Sequence, residues 1–259
     1  MKSIRDICYG PDEAQRLDLH IPDNARATYI FIHGCGLEGG DKAVDSALFD
    51  YLTARGIAVA SLNYRMLPRA RFPEFVEDCA QAAALLVRDI LPSYGLGGHV
   101  VLGGSSAGAF ISMLLAFDRH YLEARGLEPE AFDGFLFDAG QPTCHFALLR
   151  ERGLDMRRQI IDETAPLYHV QDARPGRPLL FITAGDDMPA RVEQNALMRR
   201  ALINYGYPEH MIESRTLEGY QHCGYCADVR PDGSYAYGAI CADFILRACG
   251  DNLDGKMYN

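Results

Sequence analysis

Gly104-Ser105-Ser106-Ala107-Gly108 sets a serine between two glycines at the spacing of a sharp strand-to-helix turn. The apolar run His99-Val100-Val101-Leu102-Gly103 precedes it, and Phe110-Ile111-Ser112-Met113-Leu114-Leu115 follows with helical period. In that context Ser106 Oγ stands exposed above a strand end, placed to attack a carbonyl carbon. Ser105 is a rival hydroxyl, but only Ser106 has the glycines at the required spacing on both sides. A serine becomes a useful nucleophile when a base takes its proton and a third group orients the base. Two apolar runs downstream end in suitable groups. Leu179–Ala184 leads into Gly185-Asp186-Asp187-Met188-Pro189, and Ile212–Leu217 leads into Glu218-Gly219-Tyr220-Gln221-His222. We expect Asp187 as the acid, with Asp186 as the alternative, and His222 as the base. A turn-and-cap role is the competing reading of both carboxylates. His210 precedes its strand and is expected on the opposite side of the sheet.

Acyl transfer also needs backbone N–H groups where the oxyanion develops. Ala107, the residue after the serine, supplies one. Tyr29-Ile30-Phe31-Ile32 runs directly into His33-Gly34-Cys35-Gly36, a turn whose glycines let the backbone approach a substrate, so Gly34 and Cys35 are expected to supply the other. Tyr220, Tyr225, Tyr235 and Tyr237 gather near His222 in sequence, either stacking on a sugar ring or packing the last helix. Cys223-Gly224-Tyr225-Cys226 is a C-x-x-C without a second Cys or His pair at zinc spacing, so no metal and no cofactor are expected.

These residues need a scaffold, and the rest of the chain describes one. Strand-like runs at Thr28–His33, Ile57–Leu62, Val100–Gly103, Gly134–Asp138, Leu179–Ala184 and Ile212–Leu217 alternate with helix-period segments, the pattern of an α/β protein with a mostly parallel sheet. Phe75, Cys79, Ala82, Leu86 and Ile90 form one apolar stripe, and Met198, Leu202 and Tyr205 another. No repeat or low-complexity tract divides the 259 residues, which predicts a single domain over 1–259 with a small lid insertion at 141–166. Arg150, Arg152, Arg157 and Arg158 in that insertion read as a solvated face. A formal charge of −10 argues against nucleic acid and anionic membranes as partners. The eight scattered cysteines and the lack of an apolar leader at Met1–Asp6 fit a cytoplasmic protein.

The motif set resembles the HGGG-type esterases of the α/β-hydrolase superfamily, and within it the small BD-FAE-like branch. The resemblance extends from Ile7-Cys8-Tyr9-Gly10 and Arg16–Pro22, through His33–Gly36 with Gly40-Asp41-Lys42, to Asn63-Tyr64-Arg65, Pro68, Phe72-Pro73 and Glu77-Asp78. Thr164-Ala165-Pro166 and Gly185-Asp186-Asp187 continue it. It implies an α/β-hydrolase fold with helices on both faces of the sheet, the order Ser–Asp–His for the triad, and hydrolysis of short acyl esters, acetyl groups on sugars or oligosaccharides first. Feruloyl or cinnamoyl esters and an arylformamidase-like amide are alternatives, as is a hydrolase-fold receptor without turnover. A homodimer is compatible with the chain. Two departures stand out: Cys35 replaces the middle glycine of the oxyanion turn, and Leu37 occupies a position where many relatives carry an aromatic residue. Leu37 and Tyr220 are expected beside the substrate. Asn63, Arg65 and Asp78 read as scaffold.

Overall fold

A computed structural model describes residues 1–174 and 176–250. Eight strands form one sheet in the order β1-β2-β4-β3-β5-β6-β7-β8. They are β1 (Lys2–Cys8), β2 (Arg16–Ile21), β3 (Ala27–Ile32), β4 (Ile57–Leu62), β5 (Val100–Ser105), β6 (Gly134–Asp138), β7 (Leu179–Asp186) and β8 (Ile212–Gln221). Only β2 runs against its neighbours; from β4 to β8 every pairing is parallel. The helices are α1 (Ser46–Thr53), α2 (Glu74–Leu85), α3 (Leu91–Ser93), α4 (Ala107–Phe117), α5 (His120–Glu123), α6 (Phe146–Glu151), α7 (Arg191–Asn204) and α8 (Ala236–Ala248). None among the described residues is long and apolar enough to cross a membrane.

Central strands buried on both sides read as unbroken apolar runs, and β3, β4, β5 and β6 are buried along their whole length. Their side chains alternate between two cores. Ile30 and Ile32 of β3 pack with α2, α4 and α7 through Phe75, Leu114, Met198 and Leu202. Tyr29 and Phe31 face the other way, onto Leu48 and Leu52 of α1 and Phe244 and Ile245 of α8. Of the predicted stripe, Phe75, Cys79 and Ala82 in α2 and Leu86 just beyond it are fully buried, and Ile90 is partly buried against the same core. Tyr205 is a correction. It stands 56 % exposed where α7 gives way to a turn, one residue past the helix, so the helical period no longer aims it at the sheet.

The connection reverses direction across β3, since β4 lies on one side of it and β5 on the other. Ligands of open α/β sheets bind in the crevice that such a reversal leaves at the carboxyl ends of the strands. The turn after β3 and Ser106 after β5 both lie there.

Below the serine, α4 crosses so close to β3 that only glycine fits. A Cβ on Gly108 would lie 1.9 Å from the Ile32 carbonyl oxygen, and one on Gly104 would lie 2.4 Å from the same oxygen. Both obstacles are backbone, which cannot swing away. Gly108→Ala is therefore expected to lower unfolding free energy by about 3 kcal/mol or more, read from urea denaturation; an unchanged midpoint would refute this account of the helix's approach.

Candidate active site

Ser106 takes φ 53° and ψ −113°, a backbone conformation that an L-residue resists. Its N–H donates to the Asp138 carbonyl at 2.7 Å, and its carbonyl accepts from Phe110 in the first turn of α4. The side chain is thereby lifted off the end of β5. Oγ lies 2.8 Å from His222 Nε2, and His222 Nδ1 lies 2.6 Å from Asp187 Oδ1. The neighbouring Ser105 is turned inward, 5 % exposed, with its hydroxyl donating to Asp138 Oδ2 at 2.6 Å. That geometry removes it as a rival nucleophile.

The register of β7 and β8 brings the acid and the imidazole together. Ala184 pairs with Leu217 and, past a bulge, Asp186 pairs with Gln221. Asp187 and His222 are thus the next residues out of two adjacent strands. The sequence underestimates both strands, because their last residues are polar; β8 is the sheet edge, where polar side chains meet solvent. The same register separates the two candidate carboxylates. Asp186 is exposed, whereas the Asp187 carboxylate is wholly buried and also accepts N–H donors from Met188 at 2.7 Å and Ala184 at 3.3 Å.

Burial by itself would push the Asp187 carboxyl up, but its hydrogen bond and charge interaction with His222 hold it below the usual carboxylate range. His222 shows the converse. Burial works against its charged form, yet pairing with Asp187, reinforced by the Cys223 sulfur, pushes it up to about 9.

The turn after β3 runs through Cys35 (φ 68°), Gly36 (φ 71°) and Leu37 (φ 67°), three left-handed residues in succession. Gly34 packs so tightly on the serine that an added Cβ would meet Ser105 O at 2.8 Å and Ser106 Cβ at 3.0 Å. Scaffold contacts pin the turn: His33 stacks on Tyr64 with ring centroids 4.6 Å apart, and Asn63 accepts from the Lys42 N–H and donates to Asp41 at 2.8 Å. Arg65 grips both oxygens of buried Asp78, at 2.9 and 2.7 Å. Opposite the turn, Ala107 begins α4, where first-turn N–H groups lack intrahelical acceptors and the helix dipole favours negative charge. Gly34, Cys35 and Ala107 therefore flank the serine with backbone able to meet an oxyanion.

These parts open into a cleft of ≈ 680 Å³ lined by Cys35, Val44, Asp45, Phe146 and Met188 among others. Two expectations about substrate contacts fail. Leu37 is fully buried in the core, because the left-handed turn curls it inward, and it does not line the cleft. Tyr220 does not line it either; its hydroxyl is taken by Asp228 and its ring packs on Tyr225. Tyr225, Tyr235 and Tyr237 are buried among the residues that pack α8, so their rings are not free to stack on a sugar. Three of the four arginines of segment 141–166 pair with carboxylates: Arg150 with Glu38, Arg152 with Asp162 and Arg157 with Asp155. Of segment 141–166, Phe146 reaches the cleft, while Gln141, Thr143 and His145 are buried.

Sequence reading missed Asp45 and Asp138. Asp45 lines the cleft just before α1, and burial pushes its carboxyl up to about 6. Asp138, wholly buried at the end of β6, accepts hydrogen bonds from Ser105, Tyr225 and Tyr237. In sequence each looks like an ordinary polar residue at an element boundary.

Residues 17–134 match the BD-FAE family model, a span that includes the turn after β3 and Ser106 but ends before Asp187 and His222. A probable isoprenylcysteine alpha-carbonyl methylesterase of Arabidopsis thaliana is 36 % identical over 125 residues, which cover 47 % of this chain and 30 % of that protein. Esterase LipC of Mycobacterium tuberculosis is 28 % identical over 213 residues, covering 73 % of this chain and 52 % of that protein. The chain thus spans about half or less of the length of these curated relatives. Among solved structures, a truncated carbohydrate esterase from gut microbiota superposes with a TM-score of 0.78 at 17 % identity, covering 96 % of this chain and 97 % of that one. An esterase of Thermogutta terrifontis with propionate bound gives 0.75 at 20 % identity, covering 97 % and 96 %. The fold is that of the α/β-hydrolases.

Imidazole accepts a proton only when neutral, so kcat/KM for an ester is expected to climb as pH rises through the raised His222 value of about 9. A profile flat from about pH 7 upward would contradict that pairing. Asp187→Asn is expected to cut kcat by about 10⁴-fold, and Asp186→Asn to leave it near the parent value; equal losses would show that the strand register has been misread.

Proposed function

We propose that this BD-FAE-like α/β-hydrolase-fold chain is a serine carboxylic-ester hydrolase working through a covalent acyl-enzyme. The observation that carries the reading is the continuous contact Ser106 Oγ–His222 Nε2–His222 Nδ1–Asp187, at 2.8 and 2.6 Å. His222 takes the Ser106 proton as Oγ adds to the ester carbonyl. The buried Asp187 fixes the ring and stabilises the imidazolium that forms. Negative charge on the carbonyl oxygen develops between the N–H of Ala107 and the Gly34–Cys35 turn, beside the positive end of α4. His222 then protonates the departing alcohol. Water, deprotonated by the same ring, adds to the acyl-enzyme, and collapse returns the proton to Ser106 and releases the acid.

For the substrate we propose short acyl esters, with acetyl groups on sugars first. Phe146, Met188 and Cys35 line the same cleft as Ser106, and their largely apolar surface suits a small acyl group. Asp45 and Ser46 line the same cleft and can accept hydrogen bonds from sugar hydroxyls. The similarity in fold to a carbohydrate esterase and to an esterase with propionate bound agrees with this choice. Cinnamoyl esters are the second reading, favoured by the Phe146 ring in the cleft wall. A cytoplasmic setting suits the buried thiols of Cys79, Cys144 and Cys241.

The test is hydrolysis of p-nitrophenyl acyl esters, acetylated oligosaccharides and methyl ferulate by the parent chain and Ser106→Ala. We expect acetyl esters to have the highest kcat/KM, and the substitution to lower kcat by about 10⁴- to 10⁶-fold. Retained turnover in Ser106→Ala would end the proposal, and a preference for methyl ferulate would replace its substrate.

A further inference from the structure

The Cys-Gly-Tyr-Cys stretch after His222 lacks a second ligand pair in the sequence, but the fold supplies a partner from elsewhere. Asp138, at the carboxyl end of β6, meets Cys223 and Cys226 so that one ligand atom from each lies within 4.8 Å of the others. Cys226 Sγ is 3.8 Å from Asp138 Oδ2. Ser105 Oγ bridges the group, 2.6 Å from that oxygen and 3.5 Å from Cys223 Sγ. Tetrahedral zinc with bonds of about 2.3 Å to sulfur and 2.0 Å to oxygen holds its S and O ligands about 3.5 Å apart. The Cys226–Asp138 separation has to close by about 0.3 Å, and no pair of ligand atoms by more than about 1.3 Å, to meet on one ion.

Three further observations point to a cation. Asp138 is 0 % exposed, and no guanidinium or ammonium among the described residues pairs with it. Its hydrogen-bond partners are neutral: the hydroxyls of Ser105, Tyr225 and Tyr237, and more distantly the Cys226 thiol. The two tyrosines fix the carboxyl's orientation, as outer-shell donors do around a metal ligand. Finally, Ser105, Cys223 and Cys226 line the catalytic cleft, which gives an aqueous ion its way in and leaves a fourth position for water or the Ser105 hydroxyl.

We propose that Asp138, Cys223 and Cys226 bind one thiophilic divalent cation, with Zn²⁺ the best fit, and that its binding switches off hydrolysis in the adjoining site. The second half rests on the esterase reading; the first does not. Binding displaces the two thiol protons, and any proton on the carboxyl, into solvent, and nothing is oxidised or reduced. Inhibition follows from connectivity. Cys223 is bonded to His222, and Asp138 holds Ser105, the neighbour of Ser106. Drawing the three ligands together moves both sides of the 2.8 Å serine–histidine contact, and catalysis tolerates little such misplacement.

The experiment uses the reduced, metal-free protein and Co²⁺ as a spectroscopic probe. We expect a thiolate-to-cobalt charge-transfer band that saturates at one equivalent and is erased by Zn²⁺. In parallel, p-nitrophenyl acetate turnover is measured with and without Zn²⁺, each variant being judged by its own ratio of the two rates. The parent should lose on the order of tenfold or more and recover when a chelator is added. Cys226→Ser should lose the charge-transfer band and the zinc sensitivity together. Absence of the band in the parent, a measurement that needs no variant and no turnover, overturns the site. A band with undiminished turnover, or equal zinc inhibition of Cys226→Ser, overturns the switch. A parent that shows the band but hydrolyses nothing leaves the cation site standing and sinks the esterase reading instead.

Discussion

The structure turns on the contact between the Ile32 carbonyl and the two glycines that flank the serine. That carbonyl occupies the space a Cβ on Gly104 or Gly108 would need. The close approach forces the chain into the left-handed bend at Ser106, and the bend presents the hydroxyl above the sheet instead of alongside it. Strain of this kind, of order 1–3 kcal/mol per residue, persists only where surrounding packing over-determines it. Here α4 is buried along its entire length, and the Ser106 N–H is tied to Asp138 on the neighbouring strand.

From that anchor the remaining parts are set by parallel strand register. The turn after β3, the serine after β5 and the Asp187–His222 pair after β7 and β8 all leave the sheet at its carboxyl edge. Electrostatics then divides the labour. The Asp187 carboxylate is removed from water but given three hydrogen bonds, so it stays ionised and faces the imidazole as a fixed charge. Asp138, equally hidden, has hydroxyl partners and no cationic one among the described residues, and burial pushes its carboxyl up to about 8. Two buried aspartates at the ends of adjacent strands thus hold opposite tendencies because of what surrounds them.

Much of this was legible in the amino-acid order, for identifiable reasons. Ser106 announces itself because its flanking glycines sit between an apolar run and a helical one. The interior strands announce themselves because burial on both faces leaves no polar residues in them. His222 follows from lying just beyond a strand end. The choice between Asp186 and Asp187 was not legible, since it depends on a bulge in the β7–β8 pairing that leaves no trace in composition. Leu37 misleads because its place beside the substrate is read from relatives with an aromatic residue there, whereas three left-handed residues in succession roll it into the core. Asp138 and the paired cysteines were hidden for a related reason: their meeting is a product of strand order, with about 85 positions of chain between them.

The account stands on Ser106 being an activated nucleophile, and its reaction with a fluorophosphonate probe tests that most directly. Intact-mass and peptide analysis should find one covalent adduct, on Ser106, formed rapidly by the parent chain and at least orders of magnitude more slowly by His222→Ala. Modification elsewhere, or equal labelling of the two proteins, would contradict the account.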